Sequence, residues 1–285
     1  MDDTIDNVSD TAHWVAFYRA LESERPDALF HDRHARTLAG PRGEAIARGM
    51  QGGLQGGWPI VVRTRIMDDV IEGLAGRGEI DTVLNLAAGL DTRPYRLKLP
   101  KELRWIEVDL PGVIDFKRGV LATDVPVCAL ESVTIDLADV PARRALFARV
   151  GAAGRRVLVV SEGLLIYLAP EAVAALADDL SAQPGMERWL IDLASPALLK
   201  MIEKTWGKRV AAGGAPFKFG PVEGVAFFAP HGFREEAFHS IWEGALRWNR
   251  KPPMAWLWRI MGIFASAKKK EEIKRFSGVA LLRRT

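Results

Sequence analysis

The sequence predicts an α/β fold, a mostly parallel β-sheet with helices on both faces. Three observations carry that prediction. Between residues 82 and 193, short apolar runs of strand length alternate with helical stretches, the order that βαβ units produce. Those runs are continuously apolar, as strands covered on both faces are. The first of them, Thr82 to Leu86, passes at once into Ala87, Ala88 and Gly89. Small side chains after a buried strand let the backbone approach a ligand, and in an open α/β sheet that turn lies at the carboxyl end where ligands bind. A plain tight turn is the alternative reading of the same three residues.

A chain of 285 residues suits one large α/β domain, or one domain with an appended cap. Its 48% hydrophobic content supplies a sizeable core. The formal charge of +3 is small for this size and does not imply nucleic acid as a partner. One cysteine, Cys128, allows neither an intrachain disulfide nor a thiolate metal cluster, so a reducing, cytoplasmic setting is expected and no metal site is assigned. The opening MDDTIDNVSD is the reverse of a secretory signal, and no apolar run reaches the length of a membrane span.

In chain order, residues from Thr11 to Met50 read as helices broken at Pro26, with a second amphipathic piece over Asp32 to Leu38. Gly52, Gly53, Gly56 and Gly57 read as a flexible connection, with a close approach of the chain to a ligand as the alternative. A helix follows from Ile60 to Leu74, stopped by Gly76 and Gly78, with Arg63 and Arg65 near its start. After the glycine-turn strand come a strand over Arg104 to Val108, a helix over Val113 to Leu121 and a short strand over Ser132 to Ile135. Pro141 then opens a helix. Val157 to Val160 is a wholly apolar strand, Pro170 to Leu180 a helix, and Trp189 to Leu193 another strand. Beyond Ser195 the pattern loosens. Residues 252–267, rich in tryptophan and followed by Lys268, Lys269 and Lys270, read as a packed helix or substrate cover, with a membrane-surface helix as the alternative. Gly278 to Leu282 is a final strand.

Three carboxylates stand just past predicted strands: Asp109, Asp136 and Glu162. A parallel sheet brings those ends to one edge beside Gly89. Asp109 follows Gly89 by about 20 residues, the offset at which a nucleotide-fold carboxylate accepts from ribose hydroxyls. Asp136 is placed to receive an adenine amino group, and Glu162 to line the inner cleft. The turn has a single glycine and lacks the G-x-G-x-x-G that a pyrophosphate needs. With no Tyr-x-x-x-Lys pair either, an NAD-linked oxidoreductase is disfavoured. An adenosine cofactor without pyrophosphate fits, and S-adenosylmethionine, whose sulfonium is not repelled by acids, is the candidate.

The stretches LNLAAGLDTRPYRL, EVDLPGVIDFK and SEGLLIYL resemble the leucine carboxyl methyltransferase family, more closely its bacterial small-molecule branch of polyketide O-methyltransferases. TAHWVAFYRALESERPDALFHDRHAR and VRTRIMDD are similar to that branch's N-terminal region. The resemblance implies a Rossmann-like, seven-stranded class I methyltransferase sheet with helices on both faces and an N-terminal helical cap. It implies a cap over residues 1–60 and a methyltransferase domain over 61–285, with a substrate-covering insertion around 196–267. Carried over by position, it puts Gly89 against the methionine part of the cofactor, Asp109 on the ribose, Asp136 and Leu137 beside the adenine, and Glu162 on the methionine side. Arg65 is aligned with the arginine that binds the cofactor carboxylate, ahead of Arg63, and Arg19 is placed at the same pocket. Many relatives have glycine where Ala87 stands.

The activity implied is O-methylation of a small acid or hydroxylated compound. A non-catalytic cofactor-binding module and methylation of a protein C-terminus are the alternatives. No catalytic residue is assigned: of five histidines none lies in the strand-end motifs, although His13 and His231 could fold over the site. That absence favours a carboxylate acceptor, which needs no base.

Overall fold

The computed structural model describes residues 8–50, 52–153, 156–212, 216–251 and 266–285. Seven strands form one sheet in the order β3-β2-β1-β4-β5-β7-β6. They are β1 (Thr82–Leu86), β2 (Arg104–Asp109), β3 (Ala129–Thr134), β4 (Val157–Ser161), β5 (Arg188–Ala194), β6 (Phe233–Ser240) and β7 (Ser277–Arg284). The first five are parallel, and β7 runs antiparallel to both β5 and β6. Strand order reverses at β1 and β4, so the carboxyl ends of those two central strands open the crevice where ligands bind in such sheets.

Strand periodicity sorts the core onto two faces. Leu84, Leu86, Val157, Val159, Trp189 and Ile191 point to one face. There they meet α6 (Val140–Ala153) and α7 (Pro170–Ser181). Val83, Leu158, Val160 and Leu190 point to the other. That face is covered by α3 (Trp58–Gly76) and α9 (Ile241–Arg247). A third cluster joins α1 (Val8–Ser23) and α2 (Ala35–Gly49) to Leu90, Ile202 and Phe217 above the strand ends. Short helices α4 (Arg93–Arg96) and α5 (Pro111–Val120) follow β1 and β2. The helix α8 (Pro196–Ala212) follows β5, and α10 (Ala267–Lys274) precedes β7.

Two strands depart from the sequence reading, and both are sheet edges. β3 starts at Ala129 rather than Ser132, and β6 carries no apolar run, reading FREEAFHS. An edge strand has one solvated flank, so its residues lack the continuous hydrophobicity that marks a central one. The aromatic segment 252–265 lies outside the described residues. Among the described residues, no helix is long and apolar enough to cross a membrane.

Candidate functional site

The site is built outward from the end of β1. Beyond Leu86 the backbone turns through left-handed conformations at Ala87 (φ +51°) and Gly89 (φ +52°). Gly89 needs to be glycine for a second reason: a Cβ there would come within 3.3 Å of the Ala12 methyl on α1. Ala87 has no such freedom, because a left-handed alanine costs roughly 1–2 kcal/mol. Substituting Ala87→Gly is therefore expected to raise stability by about 0.5–1 kcal/mol in urea denaturation, after glycine's own entropic penalty. A loss of stability would show that the Ala87 methyl packs better than its strain suggests.

The turn is held by Asp109 at the end of β2. Its Oδ2 accepts from Gly89 N at 2.6 Å and its Oδ1 from Leu110 N at 2.7 Å. Burial raises the Asp109 pKa above its ordinary value, against the lowering effect of those two backbone donors. The turn also opens a cavity of about 570 Å³, within the range of small-molecule and cofactor sites. Gly89, Asp109, Glu162 and Arg19 all line it, as do Asn85, Asp91 and Asp192.

An unbroken ionic chain forms the cavity's floor. Arg19 pairs with Asp32 at 2.9 Å, Asp32 lies 3.9 Å from Arg96, and Arg96 holds Asp68 at 2.6 Å. Arg93, only 2% exposed, then binds Asp68, Asp91 and Glu162 at 2.7, 2.9 and 2.8 Å. Arg63 continues the chain from Glu162 (2.9 Å) to Asp192 (2.8 Å). Asn85 donates to Asp91, and Gly163 N to Asp192. Burial alone would push Asp91 and Glu162 up, but the guanidinium charges win. Arg93 and Arg63 hold Glu162 down at about 2, and Arg93 with Lys117 and Arg96 holds Asp91 at about 2. Thr64 and Arg96 line the cavity, and their Oγ1 and Nε atoms are buried without a hydrogen-bond partner in the described structure.

The opposite wall is apolar and aromatic. Trp14 from α1, Trp58 at the start of α3, and Leu198 and Ile202 of α8 line it. Tyr167 stacks on Phe217, with centroids 5.5 Å apart and planes 25° apart. Lys218 N and Phe219 N both donate to the Ile166 carbonyl, which pins that wall in place. Burial pushes the Tyr167 phenol up to about 12, so it is neutral at physiological pH.

Three sequence assignments fall elsewhere. Arg65 does not line the cavity: it donates to the Leu29 carbonyl, pairs with Asp69 and lies over Trp248. Residues two apart on a helix point about 200° apart, so only one of Arg63 and Arg65 can face the sheet ends, and it is Arg63. Asp136 turns back to accept from Ala138 N, and it is exposed beyond the cavity. Leu137 packs towards the core, and its carbonyl takes a bond from Arg143. His13 bonds the α2 backbone and His231 pairs with Asp178, so neither folds over the site.

Sequence reasoning gave no role to Asn85, Asp91, Arg93, Asp192 or Tyr167. Asn85 and Asp192 were findable, because each is a lone polar residue inside an apolar strand. Their parity places both on the face that α3 covers.

The family model for leucine carboxyl methyltransferases matches residues 12–181. A protein of Streptomyces coelicolor named "Putative S-adenosyl-L-methionine-dependent methyltransferase" is 33% identical over 270 residues, covering 87% of this chain and 89% of that one. One of the same description from Streptomyces avermitilis is 32% identical, covering 84% and 87%. Among solved structures, a DUF574 family protein from Streptomyces avermitilis aligns over 99% of both chains, with a TM-score of 0.62 at 16% identity. At that identity the likeness speaks for the fold.

Proposed function

The chain belongs to the leucine carboxyl methyltransferase family, and from that premise we propose that it transfers a methyl group to the carboxylate oxygen of a small molecule. It is an S-adenosylmethionine-dependent methyltransferase. The cavity suits that cofactor in two ways. The Gly89 turn exposes backbone that carries no side chain of its own. Asp109 keeps lone pairs for ribose hydroxyls after taking its two backbone donors.

When bound, the cofactor supplies an electrophilic methyl group on a sulfonium. The chain's own residues then bind, orient and exclude water. Asp109 would hold the ribose, with Leu110 and Val113 along the adenine. Glu162 and Asp192 would face the cationic end. Arg63, with donors left over after its two acids, would hold the cofactor's carboxylate. Substituting Arg63→Met is therefore expected to weaken cofactor binding about tenfold or more, while Arg65→Met leaves it unchanged. Calorimetric titration of both folded variants checks this, and equal losses would remove Arg63 from the site.

One observation carries the choice of a carboxylate acceptor. Among the described residues, no histidine lines the cavity, Tyr167 is neutral, Asp91, Glu162 and Asp192 are engaged by guanidinium groups, and Asp109 holds two backbone amides. A carboxylate with pKa near 4 is already ionised and needs no base, whereas a phenol near 10 gains from one. Alignment of the two reacting atoms can then supply roughly 7–11 kcal/mol of the barrier reduction. On this reading residues 1–60 cap the site, residues 61–285 form the methyltransferase domain, and the region around 196–267 covers the acceptor. The test is transfer of a radiolabelled methyl group to matched carboxylic acids and phenols bearing apolar bodies. The expected product is a base-labile ester. Labelled phenol ethers without esters would overturn the reading.

A further inference from the structure

Among the described residues, five cations line the cavity, and carboxylates engage four of them. Arg19 pairs with Asp32, Arg63 with Glu162 and Asp192, Arg96 with Asp68, and Arg93 with three acids. The fifth is Lys218, whose ammonium meets no carboxylate among the described residues. The backbone at Lys218 is fixed. Its N–H donates to the Ile166 carbonyl at 2.7 Å, and Phe219 N donates to the same oxygen at 3.1 Å. Ile166 stands four residues beyond Glu162, so Lys218 is docked on the segment that leaves the end of β4. Phe217 and Phe219 are 8% and 1% exposed, whereas Lys218 between them is exposed. Two buried aromatics thus anchor a lysine at the rim of the aromatic wall, and its flexible four-carbon stem lets the charge turn towards a ligand. Such a rim matches an acceptor with an apolar body and an anionic group.

On the reading that the acceptor is a carboxylic acid, the reaction changes the charge that Lys218 would meet. A carboxylate lone pair forms the new O–C bond, and the S–C bonding pair stays on sulfur. No proton is released, the sulfonium becomes a neutral thioether, and the acid becomes a neutral ester. We propose that Lys218 is a specificity-determining residue that pairs with the acceptor in its ionised form and loses hold of it once esterified. An ion pair at a partly exposed rim is worth about fivefold in affinity.

Calorimetric titration in the presence of S-adenosylhomocysteine tests this, with naphthalene-2-carboxylate and its methyl ester as probes. Lys218→Met is expected to weaken the acid about fivefold and to leave the ester within about twofold. Lys218→Arg keeps the charge and should hold the acid within about twofold of the unaltered protein. The position is exposed, so both variants are expected to fold. An unchanged acid affinity in Lys218→Met, equal losses for acid and ester, or no binding of the acid to the unaltered protein would overturn the proposal. Turnover separates it from the carboxylate reading on which it rests. An acid esterified with the same KM in Lys218→Met as in the unaltered protein removes the lysine and leaves the reaction. An acid held through Lys218 but never esterified, while phenols are methylated, removes the carboxylate acceptor and leaves the anion site at Lys218.

Discussion

Substituting Arg93→Met is expected to destabilise the fold by about 3–5 kcal/mol, the cost of leaving buried charges without their partner. Arg93 is 2% exposed and touches three carboxylates, Asp68, Asp91 and Glu162. It joins α3 to the turn after β1 and to the end of β4, so one side chain fastens three elements around the cavity. Methionine fills much of its length but offers no donor. Urea denaturation followed by circular dichroism measures the effect, with the half-buried Arg65→Met as the control outside the network, expected to change stability by less than about 1 kcal/mol. A loss of similar size in both would mean that water reaches the network freely.

The same network sets the acid limit of stability. Asp91 and Glu162 are held at about 2, below ordinary carboxylates near 4. A depressed folded-state pKa stabilises above the unfolded value and ceases to do so as pH falls through the folded one. Their contribution is therefore complete above pH ~4 and lost between pH ~4 and ~2. Without Arg93 the two acids should return towards ordinary values, and that part of the acid dependence should flatten.

Substituting Asp109→Ala is expected to weaken cofactor binding by about 30-fold or more, near 2 kcal/mol, since hydrogen bonds to a charged group carry about 1.5–3 kcal/mol. Two losses combine in it. The ribose loses its acceptor, and the Gly89 and Leu110 amides lose the carboxylate that sets the turn. Asp109→Asn keeps one acceptor oxygen and should fall between. Lys269→Ala, an exposed residue on α10 paired with Glu272, should leave affinity unchanged. Calorimetric titration separates the three, and equal effects of the alanine variants would remove Asp109 from the site.

The central strands were legible because burial on both faces favours apolar runs: β4 has one from Val157 to Val160, and β1 and β5 have them interrupted by Asn85 and Asp192. The edges were not. β6 holds its place through its pairing with β7 and through Phe233, buried among core residues, rather than through any run of its own. The strand-end turn was legible as a turn, since small residues follow an apolar strand there, and the structure adds the cavity beside it. Asp109 and Glu162 could be placed beside it from strand ends alone, and the structure brings both to the cavity. Asp136 follows an edge strand, where the chain has room to turn its side chain back on itself, and no strand-end rule anticipates that.

Local pattern therefore settles this protein's central strands, the helices that cover them and the turn at Gly89, because each depends on neighbours in the chain and on water being excluded from a strand or helix face. The partners of the charges are another matter. Arg63 reaches Asp192 across 129 residues, and Glu162 is shared between Arg63 and Arg93. Whether a guanidinium on α3 meets solvent or the cavity turns on the helix's rotation about its own axis. That rotation is set by packing against the sheet, and it separates Arg63 from Arg65 although they stand two residues apart.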